Sequence, residues 1–236
     1  MKKLFLLLLI SSFGFAQNAN RKYISHQLNE NVLEIKTSDG MYFIQSYTDQ
    51  IIETSFVPNE EKFNPNSHAV VLKPNQNPIQ LKESTDFLEI KTKTLELQIA
   101  KSPFQISYYK KSELLLSEKA GYLKRKHEPL ERVKGNIVYD STEVIQFNIN
   151  ATEKLYGGGA RVLGMNRRGN RLALYNRADY GYETRSELMN FTLPIVISSQ
   201  KYLVHFDNAP IGYLDLDSKK ENILEYETIS GRKTYQ

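Results

Sequence analysis

The chain has 236 residues, with 31 lysines and arginines against 27 acids, no cysteine and no tryptophan. A formal charge of +4 is too small to mark a polyanion-binding surface, and the lack of cysteine excludes a disulfide framework and a cysteine lipid anchor. Stability has to come from packing alone, which a chain of this size supports because folding buries roughly 70–75% of its unfolded surface.

Residues 1–16 predict a secretory signal peptide: Lys2 and Lys3, an apolar run from Leu4 to Ile10, then small residues up to Ala16. The run is shorter than the ~20 residues needed to span a bilayer. Its removal takes two lysines and no acid, so the charge falls to +2. The expectation is a protein exported to the periplasm or beyond, with no membrane anchor and no nucleic-acid partner, and a single domain over residues 17–236.

From there the pattern has period two. VLEIKT puts Leu33 and Ile35 on one face and Glu34 and Lys36 on the other. In FLEIKTKTLELQI, Leu88 and Ile90 share one phase while Leu95, Leu97 and Ile99 share the other. That flip predicts a turn or bulge around Thr92–Thr94, because a one-residue slip reverses every side chain. FQISYY and ELLLS follow across a polar turn at Lys110–Ser112, and VIQFNI, RLALYN, FTLPIVIS, YLVHFD, IGYLDLD and ILEYET come later. Many short strands with turn signals between them predict an all-β sandwich of antiparallel strands. The charge-rich segment Glu118–Asn136 reads as an exposed loop or strand edge. The terminal GRKTYQ reads as the start of a strand with nothing to pair it.

The conspicuous stretch is Glu153–Glu183, with Gly157-Gly158-Gly159, a high density of arginine, and Tyr-Asn-Arg-Ala-Asp-Tyr from Tyr175. It is not a phosphate loop: Met165 and Asn166 follow Gly164 where Lys and a hydroxyl would be needed. Glycines in a strand pattern mark a bulge or a close backbone approach. The four histidines are scattered, so no metal site is expected, and no cofactor motif is present. Asp215 and Asp217 have the alternation of a carboxylate pair, which would suit a retaining glycosidase; the plainer expectation buries Leu214 and Leu216 and turns both aspartates to water or a neighbouring loop. Arginine with tyrosine suits sugars, whose apolar faces stack on rings and whose hydroxyls bond to charged groups.

The order of the pieces decides between these readings. A Tyr-Gly-x-Gly strand end at Tyr156–Gly159, an Arg-Gly turn at Arg168-Gly169, an aromatic-Asn pair at Tyr175-Asn176, a Pro-Ile-x-Ile-Ser strand at Pro194–Ser198 and Phe206-Asp207-Asn208 follow one another. This series resembles the N-terminal, galactose mutarotase-like β-sandwich of glycoside hydrolase family 31, the α-glucosidase and α-xylosidase group. The resemblance is good over Thr94–Gln236 and loose over residues 23–90.

It implies a non-catalytic domain that packs on a catalytic (β/α)8 barrel of the same protein. Both catalytic aspartates would lie on that barrel, the nucleophile in a tryptophan-containing motif absent from this chain, so the chain alone is expected to be inactive. The loop after the aromatic-Asn pair would line the subsite of an α-linked oligosaccharide. Carried over residue by residue, the substrate-binding candidates are Asn176, Arg177, Asp179, Tyr180 and Tyr182. The family pattern Asn-x-Asp puts its carboxylate where this chain has Ala178, so Asp179 takes the role only through a register shift. The alternative is a free-standing carbohydrate- or partner-binding sandwich.

Overall fold

The computed structural model describes residues 20–74, 79–126, 141–176, 178, 180–184 and 189–236. The signal peptide therefore lies outside the described residues. Those described contain seventeen strands and no helix, and every strand pair is antiparallel.

The first sheet runs β1 (Tyr23–Asn29), β2 (Val32–Thr37), β3 (Gly40–Thr48) and β4 (Ile51–Pro58), with β17 (Thr234–Tyr235) on the far side of β4. The second has nine strands. Its chain begins with β5 (Gln80–Glu83), β6 (Phe87–Lys91), β7 (Glu96–Lys101), β8 (Phe104–Lys110) and β9 (Glu113–Lys126). It continues through β10 (Ser141–Asn148), β16 (Ile223–Thr228), β15 (Gly212–Leu216) and β12 (Asn170–Leu174). A third, small sheet is ordered β11 (Leu155–Gly157), β13 (Ile195–Ser198), β14 (Leu203–His205).

Alternation places the core as expected. Leu33 and Ile35 from β2 and Tyr42 and Ile44 from β3 are buried against Leu88, Ile90, Leu97, Ile99 and Ile106 of the large sheet. The phase flip is a turn: the Thr92 hydroxyl accepts from the amides of Thr94 and Leu95, at 3.2 and 2.9 Å. The polar turn between β8 and β9 puts Lys111 and Ser112 at φ 51° and 66°, the left-handed geometry that matches hairpin twist. Aromatic rings fill the other end of the core. Phe206 stacks on Tyr226 with centroids 4.4 Å apart, and Phe147 meets Tyr235 edge-on at 5.1 Å.

Two expectations change and a third is narrowed. Glu118–Lys126 is not an exposed loop or edge: it is the second half of β9, an interior strand between β8 and β10, and Glu118 is 1% exposed. Of its charges, Glu118 is buried and Arg125 pairs with Glu225, a hundred residues on, at 2.7 Å, while Lys124 and Lys126 are exposed. Residues 127–136 of the same run lie outside the described residues. The terminal strand is not unpaired either. Thr234 and Tyr235 pair with Ser55 and Thr54 of β4, and Gln236 and His205 exchange backbone hydrogen bonds of 2.9 Å, so β17 joins the first sheet to the third. Last, of water or a neighbouring loop, Asp215 and Asp217 face loops: both are buried, Asp215 against Ser218 and Asp217 against Arg168.

Candidate functional site

The local architecture starts from the three glycines. Gly157, Gly158 and Gly159 have φ of 110°, 78° and 89°, where L side chains pay steric energy. A Cβ on Gly157 would overlap the Ile195 carbonyl, and one on Gly159 would sit 2.5 Å from the Thr192 Cα. The close approach lets β11 turn out of the small sheet and lie against the segment leading into β13. The amides of Gly158 and Ala160 donate to the carbonyls of Ile195 and Phe191, at 2.9 and 3.0 Å.

The arginines hold this turn. Arg161 donates to the Gly158 carbonyl at 3.1 Å and to the Ala173 carbonyl at 2.5 Å. Arg167 donates to the carbonyls of Gly157 and, at 2.6 Å, Gly159; burial lowers its pKa. Arg168 caps the carbonyls of Asn150 and Glu153 at 2.7 and 2.8 Å and pairs with Asp217. A guanidinium satisfies several carbonyls at fixed angles, which an ammonium does not. Arg167→Ala should therefore cost about 2–3 kcal/mol, the scale of charge-assisted hydrogen bonds, read as a lower urea midpoint. Arg167→Lys should recover less than half of the loss.

The carboxylate pair is also structural. Asp217 follows the end of β15 with φ 65°, so it does not share a strand face with Asp215. Asp215 accepts from the Ser218 amide and hydroxyl, both at 2.7 Å; Asp217 accepts from Arg168 at 2.8 Å and from the Ile223 amide at 3.2 Å. Leu214 and Leu216 are buried as expected. On the outer face of the large sheet, Asp215 joins Arg125, Arg171, Glu225 and Glu227 in a network of ion pairs. Burial pushes the two glutamates up, but bonds from Arg125 and Gln146 to Glu225, and from Thr142 and Arg171 to Glu227, hold both below their usual range. Arg171 also stacks on Tyr213 at 4.3 Å.

Beyond this framework lies the candidate loop. Asn176 bonds across the loop to a distant segment. Its carboxamide oxygen accepts from the Thr192 amide at 2.6 Å and from the Thr192 hydroxyl at 2.9 Å, sixteen residues on, and so closes the base of the loop. Thr192 was not legible as its partner, since only the glycine turn brings the two segments together. Tyr180 is 95% exposed and Tyr182 47% exposed. Both are free to meet a ligand, as are the exposed rings of Tyr175 at the base and Phe191 beside Thr192. Ala178 is exposed. Arg177 and Asp179 lie outside the described residues.

Residues 41–215 match the family described as the glycosyl hydrolase 31 N-terminal galactose mutarotase-like domain. No curated protein matches the chain. Solved structures share the fold. The GH31 dextranase of Flavobacterium johnsoniae, complexed with glucose, superposes with a TM-score of 0.75 at 20% identity, over 91% of this chain and 26% of that one. The cycloalternan-forming enzyme of Listeria monocytogenes, in complex with a pentasaccharide substrate, gives 0.71 at 14% identity, over 91% of this chain and 20% of that one. The GH31 α-xylosidase of Xanthomonas citri gives 0.62 at 22% identity, over 80% and 19%. The chain thus spans about a quarter or less of the length of these enzymes.

Proposed function

The chain belongs to the glycosyl hydrolase 31 N-terminal galactose mutarotase-like domain family, and we propose that it is the non-catalytic N-terminal domain of an exported family 31 enzyme acting on α-linked sugars. The family match over residues 41–215 carries this reading. In it, the domain packs on a catalytic barrel and lends the loop at residues 176–182 to the oligosaccharide site. The anchored base at Asn176–Thr192 and the exposed Tyr180 and Tyr182 suit that role: a closed base with exposed aromatic rings beyond it. The dextranase and the cycloalternan-forming enzyme were solved with bound isomaltotriose and a pentasaccharide, and an α-linked oligosaccharide is the ligand proposed here. The N-terminal run of apolar residues supports export.

The first test is the coding sequence beyond Gln236, which should continue in frame into a barrel with two catalytic aspartates. The chain alone should release no nitrophenol from an aryl α-glucoside, because in this reading the aspartates that protonate the leaving oxygen and attack the sugar lie on the barrel. Turnover that follows the protein through two columns and disappears in Asp215→Asn would refute this.

A second test separates binding from chemistry. In the whole enzyme, Asp179→Ala should lower kcat/KM on a disaccharide by roughly 10- to 150-fold, the loss of one charge-assisted bond of ~1.5–3 kcal/mol. An aryl glycoside lacks the second sugar and should be affected far less. Equal losses on both would mean that the barrel or the fold is damaged. No loss on either would mean that Asp179 does not take the family's carboxylate role.

A further inference from the structure

Two exposed rings stand on backbone that the fold holds in place. Tyr175 follows β12 directly, and Leu174 of that strand pairs with Gly212 of β15. Phe191 precedes Thr192, and its carbonyl accepts from the Ala160 amide at 3.0 Å. Gly159 packs against the same carbonyl, since a Cβ there would lie 2.6 Å from its oxygen. The two rings are 47% and 50% exposed. Each precedes one member of the Asn176–Thr192 pair, so both are attached beside that bond.

The Asn176 carboxamide is oriented as well. A backbone amide can only donate, so the atom that meets the Thr192 amide is the carboxamide oxygen, and the flip of the side chain is settled. The Thr192 hydroxyl donates to the same oxygen at 2.9 Å. Nδ2 is left on the far side of the carboxamide carbon. Asn176 is exposed, and among the described residues its Nδ2 has no hydrogen-bond partner. Two N–H donors are therefore held in place next to two apolar ring faces. Exposed rings alone are ordinary; rings with a fixed donor beside them are the complement of a sugar, whose C–H face stacks while its hydroxyls accept. Groups already held in place lose little freedom on binding.

We propose that Tyr175, Asn176 and Phe191 form a sugar-binding platform that works in this chain by itself. A glucosyl unit stacks on the rings, and Asn176 Nδ2 donates to one of its hydroxyls. The inference rests on the reading above for the class of ligand. It adds that the base of the loop touches the sugar, which atom of Asn176 does so, and that the contact needs no other domain.

Amide NMR of the isotope-labelled chain, titrated with isomaltotriose, tests it. The Asn176 side-chain pair, identified by its loss in Asn176→Asp, should shift saturably together with the backbone amides of Tyr175 and Phe191. Phe87 and Leu123, exposed elsewhere, should not move. Tyr175→Ala and Phe191→Ala should each weaken binding roughly tenfold, with the rest of the spectrum unchanged. An Asn176 pair that stays still at saturation, or native affinity in both ring variants, would overturn the platform. So would shifts of equal size from glycerol at the same hydroxyl concentration, or shifts on dilution of the chain alone, which would make a second copy the occupant. If nothing moves and the reading frame encodes a barrel, the platform is wrong and the family 31 reading stands. Saturable shifts in a chain whose frame encodes no barrel would support the platform and end that reading.

Discussion

Arg21→Ala should cost about 3–5 kcal/mol, the scale on which a buried charge network loses one member, and lower the urea midpoint by more than about 1 M. Arg21 precedes β1 and is 3% exposed. It donates to both Asp39 oxygens, at 2.8–3.0 Å, and to the Tyr42 hydroxyl at 2.6 Å. It then reaches across the sandwich to the carbonyls of Ala120 and Tyr122 in β9, at 3.2 and 2.7 Å. Its guanidinium lies 4.3 Å from the Phe56 ring centroid, so stacking and hydrogen bonding are lost together. Burial opposes its charge, but Tyr42, Asp39 and Glu118 outweigh that and raise its pKa.

Two variants separate the causes. Arg21→Lys should rescue little, because one ammonium cannot serve a carboxylate, a hydroxyl and two carbonyls at once. Asp39→Asn should cost about 1 kcal/mol or less, because the Asp39 side chain is 44% exposed and its half of the pair is screened. The neighbouring Gly121 belongs to the same device. Its φ is 67°, and a Cβ there would run into the Arg21 guanidinium and the Tyr42 hydroxyl. An Arg21→Ala loss below about 1 kcal/mol would mean that the two sheets are held by apolar packing alone.

The sandwich was legible wherever a strand has one wet face. Leu33 and Ile35, or Leu97 and Ile99, repeat at period two because only one side of their strands is buried. Arg161, Arg167 and Arg168 go to loop carbonyls, since glycines that bring backbone close leave carbonyls that need donors. The MYFIQSYT and IIETSFVP segments, which became β3 and β4, did not stand out. Inner face and outer face are both partly covered in β4, where Ile52 to Phe56 are all buried, and the alternation is lost. β15 was legible as a strand with Leu214 and Leu216 turned inward, but the cover on its other face was not. Leu214, Asp215 and Leu216 are buried in succession, one face by the core and the other by Arg171 and Ser218, and a local pattern cannot name partners 44 residues away. Glu118 was hidden by its neighbours: a run rich in lysine reads as solvated, and only the position of β9 inside the nine-stranded sheet shows otherwise. The loop that would meet sugar carries no periodic signal at all. It was reached by resemblance, and the structure contributes its closed base.

Glu118→Gln should remove a fall in stability that the native protein shows between about pH 4.5 and pH 7. The Glu118 carboxyl is buried between the sheets. It accepts from Tyr235 of β17 at 2.7 Å and from Tyr42 of β3 at 3.3 Å. Tyr235 is in turn bonded to Tyr108, and Tyr108 to Thr54, both at 2.7 Å. The charged group that acts on Glu118 is Arg21, which is itself paired with Asp39. Tyr122 of the same strand is buried beside it without a bond to its hydroxyl. Burial pushes the Glu118 pKa up from 4.5 to about 7, against the opposing effects of the Tyr235 bond, the Arg21 charge and the Tyr42 bond.

Above pH 4.5 the unfolded chain therefore releases this proton while the folded protein keeps it. The folded state binds more protons in that window, so stability decreases as pH rises and the loss is complete above about pH 7. A shift of this size corresponds to about 3 kcal/mol at most. Glutamine cannot ionise, and its amide oxygen still accepts from Tyr235. Urea unfolding of both proteins from pH 4 to pH 8 isolates the effect, since Asp39, Glu225 and Glu227 are depressed carboxylates whose contributions are lost at lower pH and cancel in the difference. The variant should gain on the native protein by up to ~3 kcal/mol across the window. Curves that stay parallel would mean that Glu118 is ionised in the fold, stabilised by its two tyrosines and Arg21. The same titration would be felt at β17, because Tyr235 is the shorter of the two bonds to Glu118 and its strand joins the first sheet to the third.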